Sequence, residues 1–206
     1  MRCLYCDNEI NKFKISSLLY KDEKLCLDCR NSLRINRAYI NLDDIRVETF
    51  YNYDDGIFKS LLMQYKECYD EALSTLFIER IIDYLQIKYH GYELLFIPSS
   101  KEKLNKRGFN HLDLIFKDLH LKKNYGLIMK EELVQEGKNF NERYLMADNY
   151  VYIGDKLNKV LIVDDVITSG SSILGAYRAI KSECKSVKAI CLARKENAFI
   201  LNKKCV

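Results

Sequence analysis

The sequence predicts an α/β protein built on a parallel sheet, preceded by a small cysteine-rich module. Three observations carry that expectation. From Glu93 onward, short apolar runs alternate with amphipathic helical stretches, the order that a helix-covered parallel sheet requires. The run Val160-Leu-Ile-Val163 is purely aliphatic, as in a strand buried on both faces. Two Cys-x-x-Cys pairs stand close to the N-terminus. With 48% hydrophobic residues, 15 Tyr and 9 Phe, the 206-residue chain can bury a sizeable core. A single Pro and 8 Gly exclude low-complexity or collagen-like chains.

The apolar runs are far shorter than the ~18 residues of a membrane span, so none is expected. The first residues, Met-Arg-Cys-Leu-Tyr-Cys-Asp-Asn-Glu, contain no apolar signal-peptide core, which points to a cytoplasmic protein. Formal net charge is only +4, too little to establish a nucleic-acid binder. Its distribution is uneven, with a net negative stretch over residues 41–95 and a net positive one over residues 96–206. That bias suits an anionic ligand or a phosphate backbone, and equally an ordinary solvated lysine surface.

Residues 1–40 are expected to form the first unit and residues 41–206 the second. Cys3, Cys6, Cys26 and Cys29 pair as two Cys-x-x-Cys turns separated by nineteen residues. Each turn directs two thiolates at one point, and two turns complete the tetrahedral sulfur shell that suits a structural zinc ion. The segment between them has too little apolar mass for its own core, a shortage that a metal remedies in units below ~40 residues. A redox dithiol is the alternative, but dithiol exchange has no use for two matched pairs.

Residues 38–45 read as a connector and residues 47–53 as a β-branched and aromatic strand. Asp54-Asp55-Gly56 marks a turn, with either Asp able to cap a helix bearing Ile57, Leu61, Leu62 and Tyr65 on one face. A second helix is expected over residues 70–89, with Leu73, Leu76, Phe77, Ile81, Tyr84 and Leu85 as its core stripe. A strand at residues 94–97 ends at Pro98, and a basic loop follows. Residues 110–119 and 171–182 read as helices, and residues 151–153, 160–163 and 187–192 as strands. Cys191, in an apolar run, is expected to be a small buried hydrophobe.

The chemistry concentrates in Val160-Leu-Ile-Val-Asp-Asp-Val-Ile-Thr-Ser-Gly-Ser-Ser-Ile173. The strand brings Asp164 and Asp165 to its carboxyl end, where exposed carboxylates add little to stability. Thr168, Ser169, Gly170, Ser171 and Ser172 then form a small-residue loop opening a helix. Their hydroxyls and amides make such a loop a site for a phosphate dianion, with Gly170 expected to permit the close approach. The acids can accept hydrogen bonds from sugar hydroxyls or face a hydrated Mg²⁺. A serine-rich capping turn would explain Ser171 or Ser172, but not the two acids.

This stretch resembles the phosphoribosyl-pyrophosphate (PRPP) signature of type I phosphoribosyltransferases: an apolar strand, two acids, two residues, then Thr-Ser-Gly. It is not a Walker loop, because no Gly-Lys-Ser/Thr follows. The rest of the chain is similar to the ComF-type competence proteins, which join a four-Cys zinc module to that fold. The resemblance lies in the four cysteines, in Phe96-Ile-Pro-Ser-Ser-Lys101 with Arg107-Gly-Phe-Asn110, in Gln135 with Glu142-Arg143, and in Tyr65-Lys66. The chain departs from the pattern in having Ser99 and Ser100 where a second proline and an apolar residue are usual, and Met146 where an Asn is common.

The resemblance implies a parallel-sheet type I phosphoribosyltransferase-like fold binding PRPP with Mg²⁺. Asp164 and Asp165 would take the ribose hydroxyls, and residues 168–172 the 5′-phosphate. Ser99, Ser100, Lys101, Arg107, Gly108 and Asn110 would form a flexible loop over the pyrophosphate, with Lys101 and Arg107 as its cations. The basic loop is otherwise a solvated one. Displacing pyrophosphate at the anomeric carbon needs positioning and charge neutralisation rather than a protein nucleophile. None of His90, His111 and His120 lies in a motif, and no catalytic residue or acceptor is identified. Two functions stay open: a PRPP-binding enzyme or former enzyme acting in natural competence, in the uptake or processing of transforming DNA, and a single-stranded-DNA-binding accessory factor with a catalytically silent fold. The resemblance also implies other competence proteins, a DNA helicase or translocase among them, as partners.

Overall fold

The computed structural model describes residues 1–10, 24–131 and 149–195. In chain order its strands are β1 (Ala38–Leu42), β2 (Ile45–Asn52), β3 (Glu93–Phe96), β4 (Lys122–Asn124), β5 (Leu127–Met129), β6 (Tyr150–Tyr152), β7 (Lys159–Ile167) and β8 (Ser186–Arg194). The helices are α1 (Leu27–Ser32), α2 (Gly56–Glu67), α3 (Ile82–Lys88), α4 (Lys101–Arg107), α5 (His111–Ile115) and α6 (Ser171–Ile180), with a 3₁₀-helix at Glu71–Phe77. The main sheet has the order β1-β2-β8-β7-β3-β4. Only the β1–β2 pair is antiparallel, and the rest is parallel as expected.

The centre of the sheet is its driest part. Val160, Leu161, Ile162 and Val163 of β7 are fully buried, as are Leu94 and Leu95 of β3 and Cys191 of β8. A strand flanked by strands and covered on both faces has no place for alternation, which is why the aliphatic run was legible. β5 and β6 form a separate antiparallel pair, with Met129 opposite Tyr150.

Several expectations are corrected. Residues 38–45 are not a connector: β1 turns back onto β2 through Asp43 and Asp44, with Asp43 at φ 43, a conformation Asp tolerates. Ile40 and Leu42 point inward, while Tyr39 and Asn41 point out. Asp55 holds the cap position of α2, but its side chain makes no capping hydrogen bond. The single helix over residues 70–89 is two pieces, the 3₁₀-helix and α3. Leu76, Phe77, Ile78 and Ile81 are all buried, and successive residues cannot all face the core from one α-helical stripe. The helix at residues 110–119 ends at Ile115. The basic loop is α4, capped by the Ser100 hydroxyl at its start and closed by Gly108 at φ 80. β4 and β5, too short for any periodicity, were not foreseen. Among the described residues, no helix is long and apolar enough to cross a membrane.

The cysteine-bearing segment packs into the common core, because Cys3, Leu25, Cys29 and Leu33 are buried in the same cluster as the sheet residues. Polar contacts reinforce the join. Arg30 pairs with Glu79, Lys24 donates to Thr75 Oγ1 at 2.7 Å, and Arg80 donates to the Leu33 carbonyl at 2.9 Å.

On the outer face of β2, the Glu48 carboxylate is buried among four donors. Arg37 Nε lies at 2.5 Å, Tyr84 Oη at 2.6 Å, and Lys88 Nζ and Tyr89 Oη at 2.7 Å. Burial alone would raise its pKa, but the hydrogen bonds from Lys88, Tyr84, Tyr89 and Arg37 prevail and hold it at about 2. A shift of that size is worth on the order of 3 kcal/mol of stability. The folded-state value lies below the unfolded one, so the contribution is present above about pH 4.5 and fades as pH falls toward 2. Glu48→Gln should therefore lower the melting temperature by several degrees at pH 7, with the gap to wild type closing between pH 4.5 and 2 in parallel thermal scans. A gap that is constant with pH would refute the assignment.

Candidate functional site

Four sulfurs gather at the N-terminus as the spacing required. The Sγ atoms of Cys3, Cys6, Cys26 and Cys29 all lie within 4.8 Å of one another. A tetrahedral zinc with ~2.3 Å bonds holds its sulfurs about 3.8 Å apart, and Cys6 and Cys26 stand at 3.6 Å. Burial works against a thiolate at Cys3, but backbone hydrogen bonds from Cys6, Cys26 and Tyr5 outweigh it and bring that thiol to about 7. Four thiols converging on one point at tetrahedral spacing are what a metal centre needs, so the residues fit the ion. Because this segment shares the main core, losing the metal should loosen the whole chain rather than a separable module. Chelator treatment or Cys26→Ser should lower the single melting transition by several degrees, and elemental analysis should find one zinc per chain. A metal-free protein with chelator-insensitive melting would overturn the assignment.

The second site arises from an unequal ending of neighbouring strands. β3 pairs with β7 as far as Phe96 and Val163, and the chain then leaves the sheet at Pro98. β7 continues beside β8 to Ile167, opposite Arg194. Asp164 and Asp165 thus stand within β7, not at its end as expected, on an edge that β3 has vacated. A cleft of about 270 Å³ opens there, walled by Ser99 and Ser100, Lys103 and Arg107 of α4, His111, and the Met129–Tyr150 pair.

Both acids border the cleft, but their partners make them unlike. Asp165 is buried, its Oδ2 in an ion pair with Lys66 and 2.6 Å from His111 Nε2. Burial would raise its carboxyl, but Lys66 and His111 hold it far below the usual range. Asp164 is half-buried, and its Oδ1 accepts from the Asp165 amide at 2.9 Å. Burial and the adjacent Asp165 charge push its carboxyl up to about 7. The idea that both acids add little to stability is corrected for Asp165, whose removal would strand Lys66 in a partly buried site.

Beyond the acids, Thr168, Ser169, Gly170, Ser171 and Ser172 curl into the start of α6 around a smaller hollow that shares Asp164 and Ser172 with the cleft. Ser169 Oγ lies 3.0 Å from Ser171 Oγ and accepts from the Ser171 amide at 3.3 Å. The first N–H groups of α6 have no partner within the helix. Gly170 serves the fold: at φ 79, a Cβ here would meet Leu42 Cδ1 at 2.5 Å. Gly170→Ala should cost about 1–3 kcal/mol from backbone strain alone, plus the clash. In denaturant melts, the cost of Gly170→Ala measured in a Leu42→Ala background should be smaller by only the clash portion. A neutral Gly170→Ala would contradict this packing.

Of the remaining expected residues, Ser99, Ser100 and Arg107 line the cleft, while Lys101 does not and Lys103 takes its place. Gly108 closes α4. Asn110 caps α5, its Oδ1 accepting from the Leu112 and Asp113 amides, and is thus committed to folding. Gln135, Glu142 and Arg143 lie outside the described residues. Sequence reasoning gave no site role to Lys66, Lys103, His111, Met129 or Tyr150. Only Lys103, inside the same basic run, and Lys66, beside Tyr65, carried any signal.

An α/β protein with a mainly parallel sheet, an acid pair and hydroxyl loop at its carboxyl edge, and a four-cysteine centre is the class these features define. The chain is similar in sequence to curated proteins named ComFC, which are competence proteins. It is 25% identical to ComFC of Bacillus subtilis, across 93% of this chain and 94% of that protein. Identity to ComFC of Streptococcus pneumoniae is 27%, across 70% and 66%. No family model matches the sequence. Among solved structures, a hypoxanthine phosphoribosyltransferase from Staphylococcus aureus is similar at 17% identity and TM-score 0.36, covering 62% of this chain and 66% of that one. An adenine phosphoribosyltransferase from Trypanosoma brucei is similar at 12% identity and TM-score 0.38, covering 80% and 88%.

Proposed function

We propose that the cleft binds PRPP with Mg²⁺, and that the chain is a phosphoribosyltransferase-like protein of the cytoplasm acting in natural competence, in the uptake or processing of transforming DNA. Residues 1–40 would be its structural zinc module and residues 41–206 its phosphoribosyltransferase-like unit. The observation supporting this most is the meeting of three chemistries around one cleft: a half-buried carboxylate at Asp164, the hydroxyl-rich loop opening α6, and cations on the facing wall.

Each group has a part that its chemistry suits. The amides and hydroxyls of residues 168–172, at the positive end of α6, hold the 5′-phosphate. Asp164 accepts from ribose hydroxyls or from the water shell of Mg²⁺. Arg107 and Lys103 neutralise the pyrophosphate, with Ser100 at the base of α4. Lys101, outside the cleft, serves the solvent face. Bound Mg²⁺ supplies further charge neutralisation on the leaving pyrophosphate.

A second reading draws on α4, where Lys101, Lys103 and Lys106 are all exposed. That helix suits contact with single-stranded DNA, and partner competence proteins, a DNA helicase or translocase among them, belong to the same reading.

Calorimetric titration with PRPP and Mg²⁺, with and without single-stranded DNA, tests both. Wild type should show saturable PRPP binding, and Asp164→Asn should weaken it at least tenfold with little change in melting temperature. Since the Asp164 carboxyl is raised to about 7, its charged form accumulates above that pH. Affinity for Mg²⁺ with PRPP should therefore rise from pH 6 to 8 in wild type and stay flat in Asp164→Asn. No saturable binding at millimolar PRPP would overturn the first reading, and no DNA binding at low salt the second.

A further inference from the structure

The side chains behind the acid pair form a hydrogen-bonded chain whose direction is set by charge. Lys66 and His111 both meet Oδ2 of Asp165, His111 through Nε2 at 2.6 Å. The Asp165 and His111 side chains are only 8% and 7% exposed, so each depends mainly on the other and on Lys66 for its hydrogen bonds. A carboxylate oxygen offers only lone pairs, which means Nε2 carries the hydrogen. Lys66 already balances the Asp165 charge. Burial disfavours a second proton on the ring, and of the neighbouring charges Asp165 favours it while Lys66 and Arg107 oppose it; the imidazole ends below its usual value.

Nδ1 is then a bare acceptor, and the group facing it is Ser99 Oγ, at 3.3 Å. The ring cannot turn away easily, because the Tyr65 hydroxyl holds the His111 carbonyl at 2.7 Å and Asn110 caps the helix that His111 begins. Ser99 has one hydroxyl hydrogen and spends it on His111. Ser99 also lines the cleft, where it turns only lone pairs toward a ligand.

We propose that Ser99 is an acceptor group of the cleft, its hydroxyl oriented by Asp165 through His111, and that it receives hydrogen-bond donors of the ligand rather than phosphate oxygens. This rests on the reading of the cleft as a PRPP site and refines it. Ser99 leaves the pyrophosphate group of residues and joins Asp164 in facing ribose hydroxyls or metal-bound water. Phosphate oxygens are themselves acceptors at neutral pH and would meet Ser99 lone pair to lone pair. His111 and Asp165 act through Ser99 as positioning residues.

Two measurements test this independently. Nitrogen-15 NMR of the histidine rings, on the full chain without ligand at pH 7, should show His111 as the neutral Nε2–H tautomer. An Nδ1–H tautomer or an imidazolium would overturn the proposal whether or not PRPP binds. By calorimetry, Ser99→Ala should weaken PRPP with Mg²⁺ about three- to tenfold, the loss of one hydrogen bond, with melting temperature unchanged. His111→Gln, whose amide can still donate to Asp165 and accept from Ser99, should stay within about twofold of wild type, whereas His111→Leu should match Ser99→Ala.

Inorganic pyrophosphate with Mg²⁺ identifies the donor. If Ser99→Ala weakens PRPP but not pyrophosphate, the donors are ribose hydroxyls; if both weaken in the presence of Mg²⁺ alone, they are metal-bound water. Either result supports an acceptor Ser99. Wild-type affinity in Ser99→Ala overturns it. Wild type that shows the expected tautomer but no saturable PRPP binding overturns the PRPP reading and the ligand assignment with it, while the hydrogen-bond direction stands.

Discussion

A carboxylate buried inside a sheet has to be neutralised where it stands, and the neutralisation of Asp165 organises the walls of the cleft. Its partners come from α2, through Lys66, and from the start of α5, through His111. Arg107 Nε in turn donates to the Lys66 carbonyl at 3.3 Å. One oxygen thereby ties β7 to two helices and, through the second, to the strap between β3 and α4. Removing one partner of such an arrangement is costly because the other stays behind, charged and partly desolvated. The same burial separates two adjacent aspartates into unlike groups: both border the cleft, but Asp165 is held charged by Lys66 and His111 while Asp164 takes the repulsion.

The cleft exists because β3 stops before β7 does. Parallel strands that end together would leave only a flat sheet edge. Here Pro98, which cannot donate to a ladder, turns the chain away while β7 still has β8 to pair with on its other side. The carboxyl end of a parallel sheet is where such crevices collect ligands. The Met129–Tyr150 pair closes the far side, so the site draws its walls from segments spread over most of the described chain.

The four-cysteine cluster and the sheet share one core. Cys3 and Cys29 belong to the common apolar core, and the neighbouring polar contacts reach the 3₁₀-helix and the residues that follow it. The four cysteines bracket a sequence with few apolar residues of its own, and Leu25 and Leu33 beside them lie in the same core as the sheet residues. Glu48, with donors from Arg37 just before β1, from Tyr84 and Lys88 of α3 and from Tyr89 at its end, gathers several short hydrogen bonds onto one enclosed charge in the same way.

The local patterns were legible because each is a property of neighbouring residues. Cys-x-x-Cys turns must converge, an all-aliphatic run must be buried on both faces, and a hydroxyl loop after a strand must open a helix. These determined the parallel sheet, the four-cysteine cluster and the line from Asp164 to Ser172. What the tertiary structure alone decided are contacts between residues far apart in the chain: Lys66 and His111 on Asp165, Leu42 against Gly170, Ser99 beside His111, and the inclusion of Lys103 but not Lys101. The helix break after Phe77 and the β1 hairpin belong there too, since which apolar residues face the core depends on what the core presents to them. His111 illustrates the reason. In sequence it is one histidine after a capping asparagine, and only the pairing of β3 with β7 brings it to a carboxylate 54 residues away.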